Sequence, residues 1–310
     1  MSVRLAIEQW APEYGAPLDG DALDATKAEV AIDVEIAAGA WAPRSVSAEP
    51  LSCVLFVDGV RRVDAMAWLT DDDGVSAPAL LASYAAGVVR CRDTSAALLD
   101  VMVGRGLFTA SSDAVDLETA HGTWRVGHAP SSSPEALSLA LQTRMGATEA
   151  AVVSAVAADA DLVVVDGPLR AGVPYPPCSV GYVKTHATSY LGLVEAAVIG
   201  RLQPGQRTPL FCVSQPLRSS YSWYLRLPGA AGHPWAGVVR CEVDAAARSG
   251  PAAVAIADAA CATIPRFASQ SHKDPRAPQN LVPIGGLEHR LRHLLGDRDL
   301  LYRGLLRAAS

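Results

Sequence analysis

Two hydrophobic runs in this chain end in the same pair of residues. "SCVLFVDGVR" at 52–61 carries Val54 to Val57 into Asp58 and Gly59, and "DLVVVDGPLR" at 161–170 carries Leu162 to Val165 into Asp166 and Gly167. A short apolar run reads as a buried strand. Each aspartate is then delivered to a strand end, either as the corner of a tight Asp-Gly turn or as half of a metal site. Carboxylates are the ligands that Mg²⁺ and Mn²⁺ prefer. Two such ions about 4 Å apart activate a water and stabilise the leaving oxygen in phosphodiester hydrolysis.

A third carboxylate is expected from a helix between the strands. Glu149, in "RMGATEAAVVSAV", heads an apolar helical segment; it either points to the sheet or complements a helix dipole from the first turn. Glu118 is the rival ligand. His272 lies among charges in "PRFASQSHKDPRAPQN", as a group that binds metal, orients water or protonates a leaving group, or as a surface residue. Lys184, in "VGYVKTH", is one strand on from Asp166. It either neutralises the carboxylates and meets a phosphate or snorkels at a sheet edge. Arg61 and Arg62 follow the first Asp-Gly and are expected to grip a DNA backbone, with one of them facing solvent. Tyr221, Trp223 and Tyr224 either stack on unpaired bases or alternate within a sheet. Glu242 is read as the partner of Arg240 rather than as a further ligand.

The elements that must position these groups follow from pattern. Residues 29–37 alternate as a half-buried strand, and 53–59 and 60–70 read as two strands of a hairpin turning at Asp58-Gly59. Residues 70–78 read as a loop, 80–91 are ambiguous but for a strand at "GVVRC", and 95–120 are mixed. The longest helical stretch is 131–160, with Ser133 as N-cap, Pro134 at its first position and Gly146 dividing it in two. Strands follow at "LVVVDG" and 178–186, then a helix over 188–200, three strands at "LFCVSQ", "SWYLRL" and "AGVVRCEV", and helices at 251–263, 286–296 and 298–308. The class is α/β with a mixed sheet flanked by helices. The order of its carboxylates is that of a ribonuclease H-like fold. Residues 1–45 read as a lead-in packed on or dimerising with the core, and 46–310 as a single domain.

Composition narrows the setting. The chain has 310 residues, half of them apolar and 19% charged, which is globular composition with ample core. No apolar run reaches the roughly 18 residues of a membrane span, and "MSVRLAIEQWAPEYG" lacks a signal peptide's core. A cytoplasmic protein with no membrane association is expected. Six cysteines stand singly, without CxxC pairs, as buried thiols in a reducing compartment do. The net charge of −6 exerts no global pull on nucleic acid, so DNA contact falls to local basic patches. Lysine occurs only at 27, 184 and 273. No GxxxxGK[ST] loop is present, so any ATP-driven motor is a separate chain.

In order along residues 50–300, "FVDGVRR", "YAAGVV", "RMGATEA", "LVVVDGPL", "VGYVKTH", "LQPGQRTPLF", "VVRCEV" and "IPRFASQSH" resemble the NurA nucleases, DNA-end-processing partners of HerA-type hexameric ATPases. The resemblance implies a ribonuclease H-like core, Mn²⁺ (or Mg²⁺) as cofactor, a homodimer, and degradation of single- and double-stranded DNA. It assigns Asp58, Glu149 and Asp166 as metal-binding carboxylates and His272 as the C-terminal histidine at the metal. Two positions depart from the family: Val60 replaces a small hydroxyl residue, and Ile264 replaces a tyrosine eight residues before the histidine. The alternative is a weakened, DNA-binding or motor-docking subunit. A phosphotransferase of the sugar-kinase and actin group fits poorly, because it needs two such domains and longer phosphate loops.

Overall fold

The first Asp-Gly is not a turn. Residues Cys53–Thr70 form one unbroken strand, β3, and Gly59 stays extended within it. The computed structural model describes residues 24–25, 28–70, 74–186, 188–229 and 232–309, and the expected lead-in lies largely outside them. Contacts divide the chain into two compact units. The first comprises 1–56, 91–96 and 159–285, the second 57–90, 97–158 and 286–310.

The first unit holds β2 (Glu29–Ala31), β8 (Leu162–Asp166), β9 (Ser179–Val183), β11 (Phe211–Gln215), β12 (Arg218–Arg226) and β13 (Val238–Asp244). They run in the order β2-β11-β12-β13-β9-β8, and the start of β3 neighbours β8. The β8–β9 pair is parallel and the others antiparallel. Asp161 fastens the start of β3: its N–H donates to Cys53 O at 3.0 Å, and its Oδ2 accepts from Cys53 N at 2.8 Å. A separate parallel pair joins β1 (Asp24–Ala25) to β10 (Thr188–Ser189). Helix α2 (Leu193–Arg201) packs Val198 and Ile199 against Trp41, Phe211, Tyr224 and Val238. Helix α3 (Gly250–Thr263) supplies Asp258, one of two acids around the fully buried Arg207. Arg207 donates to Glu35 at 2.8 and 2.9 Å and to Asp258 at 2.7 Å.

The second unit is built on β3, β4 (Ser76–Arg92), β5 (Ser95–Thr109), β7 (Gly122–His128) and β6 (Leu117–Thr119), in that order. The last residues of β4 and the first of β5 belong to the first unit. Alternation on β4 serves two faces. Leu80, Ala82 and Tyr84 meet Leu137 and Leu141 of α1 (Pro134–Val156). Ala85 meets Leu287 and Leu291 of α4 (Val282–Leu294), and Ala79 and Leu81 meet Leu301 and Leu305 of α5 (Arg298–Ala308). A strand covered on both sides has no alternating pattern, which is why 80–91 read ambiguously.

Several other boundaries differ from expectation. The mixed stretch 95–120 is mostly β5. The strand at 29–37 shrinks to three residues. Gly146 does not divide α1: it is buried within one continuous helix, while Ser133 caps it as expected, its side chain accepting from Ala136 N at 3.2 Å. All six cysteines are free. Among the described residues no helix is long and apolar enough to cross a membrane.

Burial alone would raise the pKa of Glu35, but hydrogen bonds from Arg207 and Leu210 and the charges of Arg207 and Arg44 outweigh it and hold the group below its ordinary 4.5. A carboxylate depressed in the folded state adds stability above its unfolded pKa and loses it as pH falls through the folded one. Urea midpoints should therefore fall as pH drops below about 5, and Glu35→Gln should shallow that slope. An unchanged slope in the variant contradicts the pairing.

Candidate active site

The second unit brings two carboxylates to one glycine. Asp58 is buried on β3, and Gly59 N donates to its Oδ1 at 2.7 Å. Glu149 lies in the C-terminal third of α1, not in a first turn, and is 4% exposed. A Cβ on Gly59 would overlap Glu149 Oε1 and stand 3.1 Å from the carboxyl carbon. The glycine is thus the vacancy that admits Glu149. Val60, next along the strand, packs with Leu287, Leu291 and Leu295, so its apolar side chain answers to the core beneath α4.

The two arginines that follow separate. Arg61 is exposed. Arg62 turns inward, donating to Asp64 Oδ1 at 3.0 Å and Gly296 O at 2.8 Å, while Asp64 also accepts from Ser83 at 2.6 Å. The expected solvent-facing arginine is Arg61; Arg62 is tied to a buried acid.

In the first unit the second Asp-Gly ends its strand, with Gly167 at φ +97° and bridged to Tyr182. Asp166 closes β8. Its Oδ2 accepts from Lys184 Nζ at 2.7 Å, and its Oδ1 is buried without a hydrogen-bond partner among the described residues. The loop beyond is held by Glu242, which accepts from Leu169 N at 2.9 Å, Arg218 at 2.7 Å and Arg240 at 2.5 Å. Burial would raise the pKa of Glu242, but the charges and hydrogen bonds of the two arginines keep it low. Glu242 therefore pairs with Arg240, as read from sequence, and also fixes the chain after Asp166. Gly181 leaves room for that chain: a Cβ there would stand 3.0 Å from Gly167 O and Leu169 N.

Lys184 lies just past the end of β9 and also donates to Asn280 Oδ1 at 3.4 Å. Asn280 is fully buried and donates to Asp274 at 2.5 Å. Pattern reading missed Asn280; the only signal is a polar residue directly before the apolar start of α4. His272 is exposed in a turn, and Glu118 is exposed on β6. Ile264 is fully buried, so it too answers to packing. Trp223 and Tyr224 are buried, Tyr224 stacked on Phe211 with centroids 5.7 Å apart, which closes both to bases.

Asp166 and Lys184 are paired, while Asp58 and Glu149 each meet Gly59, Asp58 at its N–H and Glu149 in the space a Cβ would fill. Among the described residues, no group of three or more His, Cys, Asp or Glu side chains stands ready to hold a metal ion. The available oxygens nonetheless suit a hard divalent cation: the buried carboxylates Asp58 and Glu149, and the half-buried Asp166 with one oxygen unpartnered among the described residues.

No protein-family model matches the sequence, and no curated protein matches it. Solved structures similar to the chain include the NurA nuclease from Sulfolobus solfataricus, at TM-score 0.45 and 11% identity over 82% of this chain and 84% of that one. Another is endonuclease V from Bacillus subtilis, at TM-score 0.35 and 10% identity over 80% and 85%.

The vacancy at Gly59 is testable by a double-mutant cycle. Gly59→Ala should destabilise the protein by about 1–3 kcal/mol through overpacking, and the cost should largely disappear in a Glu149→Ala background. Equal costs in both backgrounds, read from urea unfolding, contradict the assignment.

Proposed function

We propose that this chain is a metal-dependent deoxyribonuclease with a ribonuclease H-like catalytic core. Asp58, Glu149 and Asp166 are its metal-binding carboxylates, and His272 assists at the metal and in proton transfer. The observation that carries this reading is Asp166 Oδ1, a carboxylate oxygen buried without a hydrogen-bond partner among the described residues. A buried acceptor left unsatisfied is costly, and a cation is the partner that best suits a carboxylate. Mn²⁺, or Mg²⁺, when bound, supplies an activated water and charge stabilisation at the leaving oxygen.

The protein's own groups have separable tasks. Lys184 pairs with one oxygen of Asp166 and leaves the other to a cation. Glu149, admitted by Gly59, places a carboxylate against the residue that follows Asp58. Arg61, exposed on β3, meets backbone phosphates, and His272 protonates the leaving oxygen. The buried, core-filling Val60 and Ile264 favour an active enzyme over a weakened docking subunit, since packing accounts for both departures. A HerA-type hexameric ATPase and a second copy of this chain are the proposed partners.

End-labelled single- and double-stranded DNA incubated with Mn²⁺ tests the reading. The wild type should degrade both, chelation should abolish degradation, and Asp58→Ala, Glu149→Gln and Asp166→Asn should each lower the rate by about 10²-fold or more. Undiminished cleavage by Asp166→Asn contradicts the metal assignment. No cleavage by the wild type, with or without a HerA-type partner, replaces the enzyme with a motor-docking subunit.

A further inference from the structure

Asn280 is a buried amide set between an ammonium and a carboxylate. Its Oδ1 accepts from Lys184 Nζ at 3.4 Å, its Nδ2 donates to Asp274 Oδ2 at 2.5 Å, and Lys184 donates onward to Asp166 Oδ2 at 2.7 Å. An ammonium only donates and a carboxylate only accepts, so a short side chain joining them must do both. We propose that Asn280 is a positioning residue that, through Lys184, holds Asp166 so that one carboxylate oxygen stays open. The geometry stands by itself; the use of that open oxygen rests on the nuclease reading.

The backbone of Asn280 is fixed as firmly as its amide. Its N–H donates to Arg276 O at 3.0 Å, and its carbonyl accepts from Ser269 N at 3.1 Å. Asp274 is braced by Arg276 N at 2.7 Å. A Cβ on Gly285 would stand 3.0 Å from Asn280 Nδ2, so the glycine leaves the amide its place. One residue earlier, Gln279 O accepts from Tyr182 OH at 2.7 Å. Tyr182, in β9, and Lys184, just past its end, thus catch the consecutive residues 279 and 280. The segment they anchor carries His272. Without the amide, the flexible four-carbon stem of Lys184 has one acceptor instead of two, and the Asp166 carboxyl is free to turn.

Lysine occurs only at 27, 184 and 273, so lysine-selective ¹³C labelling gives a separable spectrum of the metal-free protein. An immobilised Lys184 shows two distinct ε-methylene proton shifts. They should merge in Asn280→Leu and separate again in the reciprocal double variant Asp274→Asn/Asn280→Asp, which swaps donor and acceptor. Asp274→Ala, at a partly exposed position, should also merge them and serves if Asn280→Leu fails to fold. Distinct shifts persisting in a folded single variant overturn the proposal, as does a folded double variant that fails to restore them. The Mn²⁺ dissociation constant should rise about 10-fold or more in Asn280→Leu and recover in the double variant, with kcat lowered and KM for DNA unchanged. An unchanged dissociation constant in Asn280→Leu overturns the proposal. A wild type with distinct Lys184 shifts but no cleavage of DNA refutes the nuclease reading and leaves the positioning role standing.

Discussion

A charge can enter an apolar α/β interior only with a partner, and that constraint shapes this protein more than any single apolar contact. Glu35 is met by Arg207 and Arg44, Asp64 by Arg62 and Ser83, Glu242 by Arg218 and Arg240, and Asp166 by Lys184. Each pairing also fixes backbone. Glu35 takes Leu210 N, and Glu242 takes Leu169 N, so distant segments are tied through acids rather than through sheet ladders alone. Removing one partner of a pair buried on both sides, Arg207–Glu35 or Arg240–Glu242, is strongly destabilising, by about 3–5 kcal/mol, because the other charge is left buried. Among the described residues, Asp166 Oδ1 is the one buried carboxylate oxygen without a hydrogen-bond partner.

The repeated Asp-Gly is a repeat of letters, not of structure. At 58–59 the strand runs on and the glycine provides space for Glu149; at 166–167 the glycine takes a left-handed conformation and ends the strand. The dipeptide allows both outcomes, and tertiary surroundings decide between them. Beside 58–59 lies β4, a long neighbour that extends the ladder, and a carboxylate from α1 fills the missing side chain's place. Beside 166–167, Tyr182 O captures Gly167 N at 2.8 Å and the chain turns away over Gly181.

What was legible in the sequence was local. Ser133 and Pro134 announce the start of α1 because capping needs only neighbours in the chain, and the helices from 250 onward follow from apolar spacing. The long strand β4 was obscured by burial on both faces, and β5 by glycines at 104 and 106, where Tyr84 and Phe108 occupy the space. Of the candidate site, the carboxylates were legible as types at strand ends. The reach of Arg62 to Gly296 O and the anchoring of Lys184 by Asn280 were not, since both partners lie far away in the chain. The proposed chemistry inherits this division: residues named by motif supply the ligands, and residues invisible to motif hold them.

The most direct test of the central claim is Mn²⁺ binding followed by electron paramagnetic resonance of the free ion. If Asp58, Glu149 and Asp166 are metal ligands as proposed, the wild type takes up Mn²⁺, and Asp58→Asn, Glu149→Gln and Asp166→Asn each weaken uptake by about 10-fold or more while remaining folded. Uptake that survives Asp166→Asn unchanged, or a folded wild type that binds none, contradicts the account.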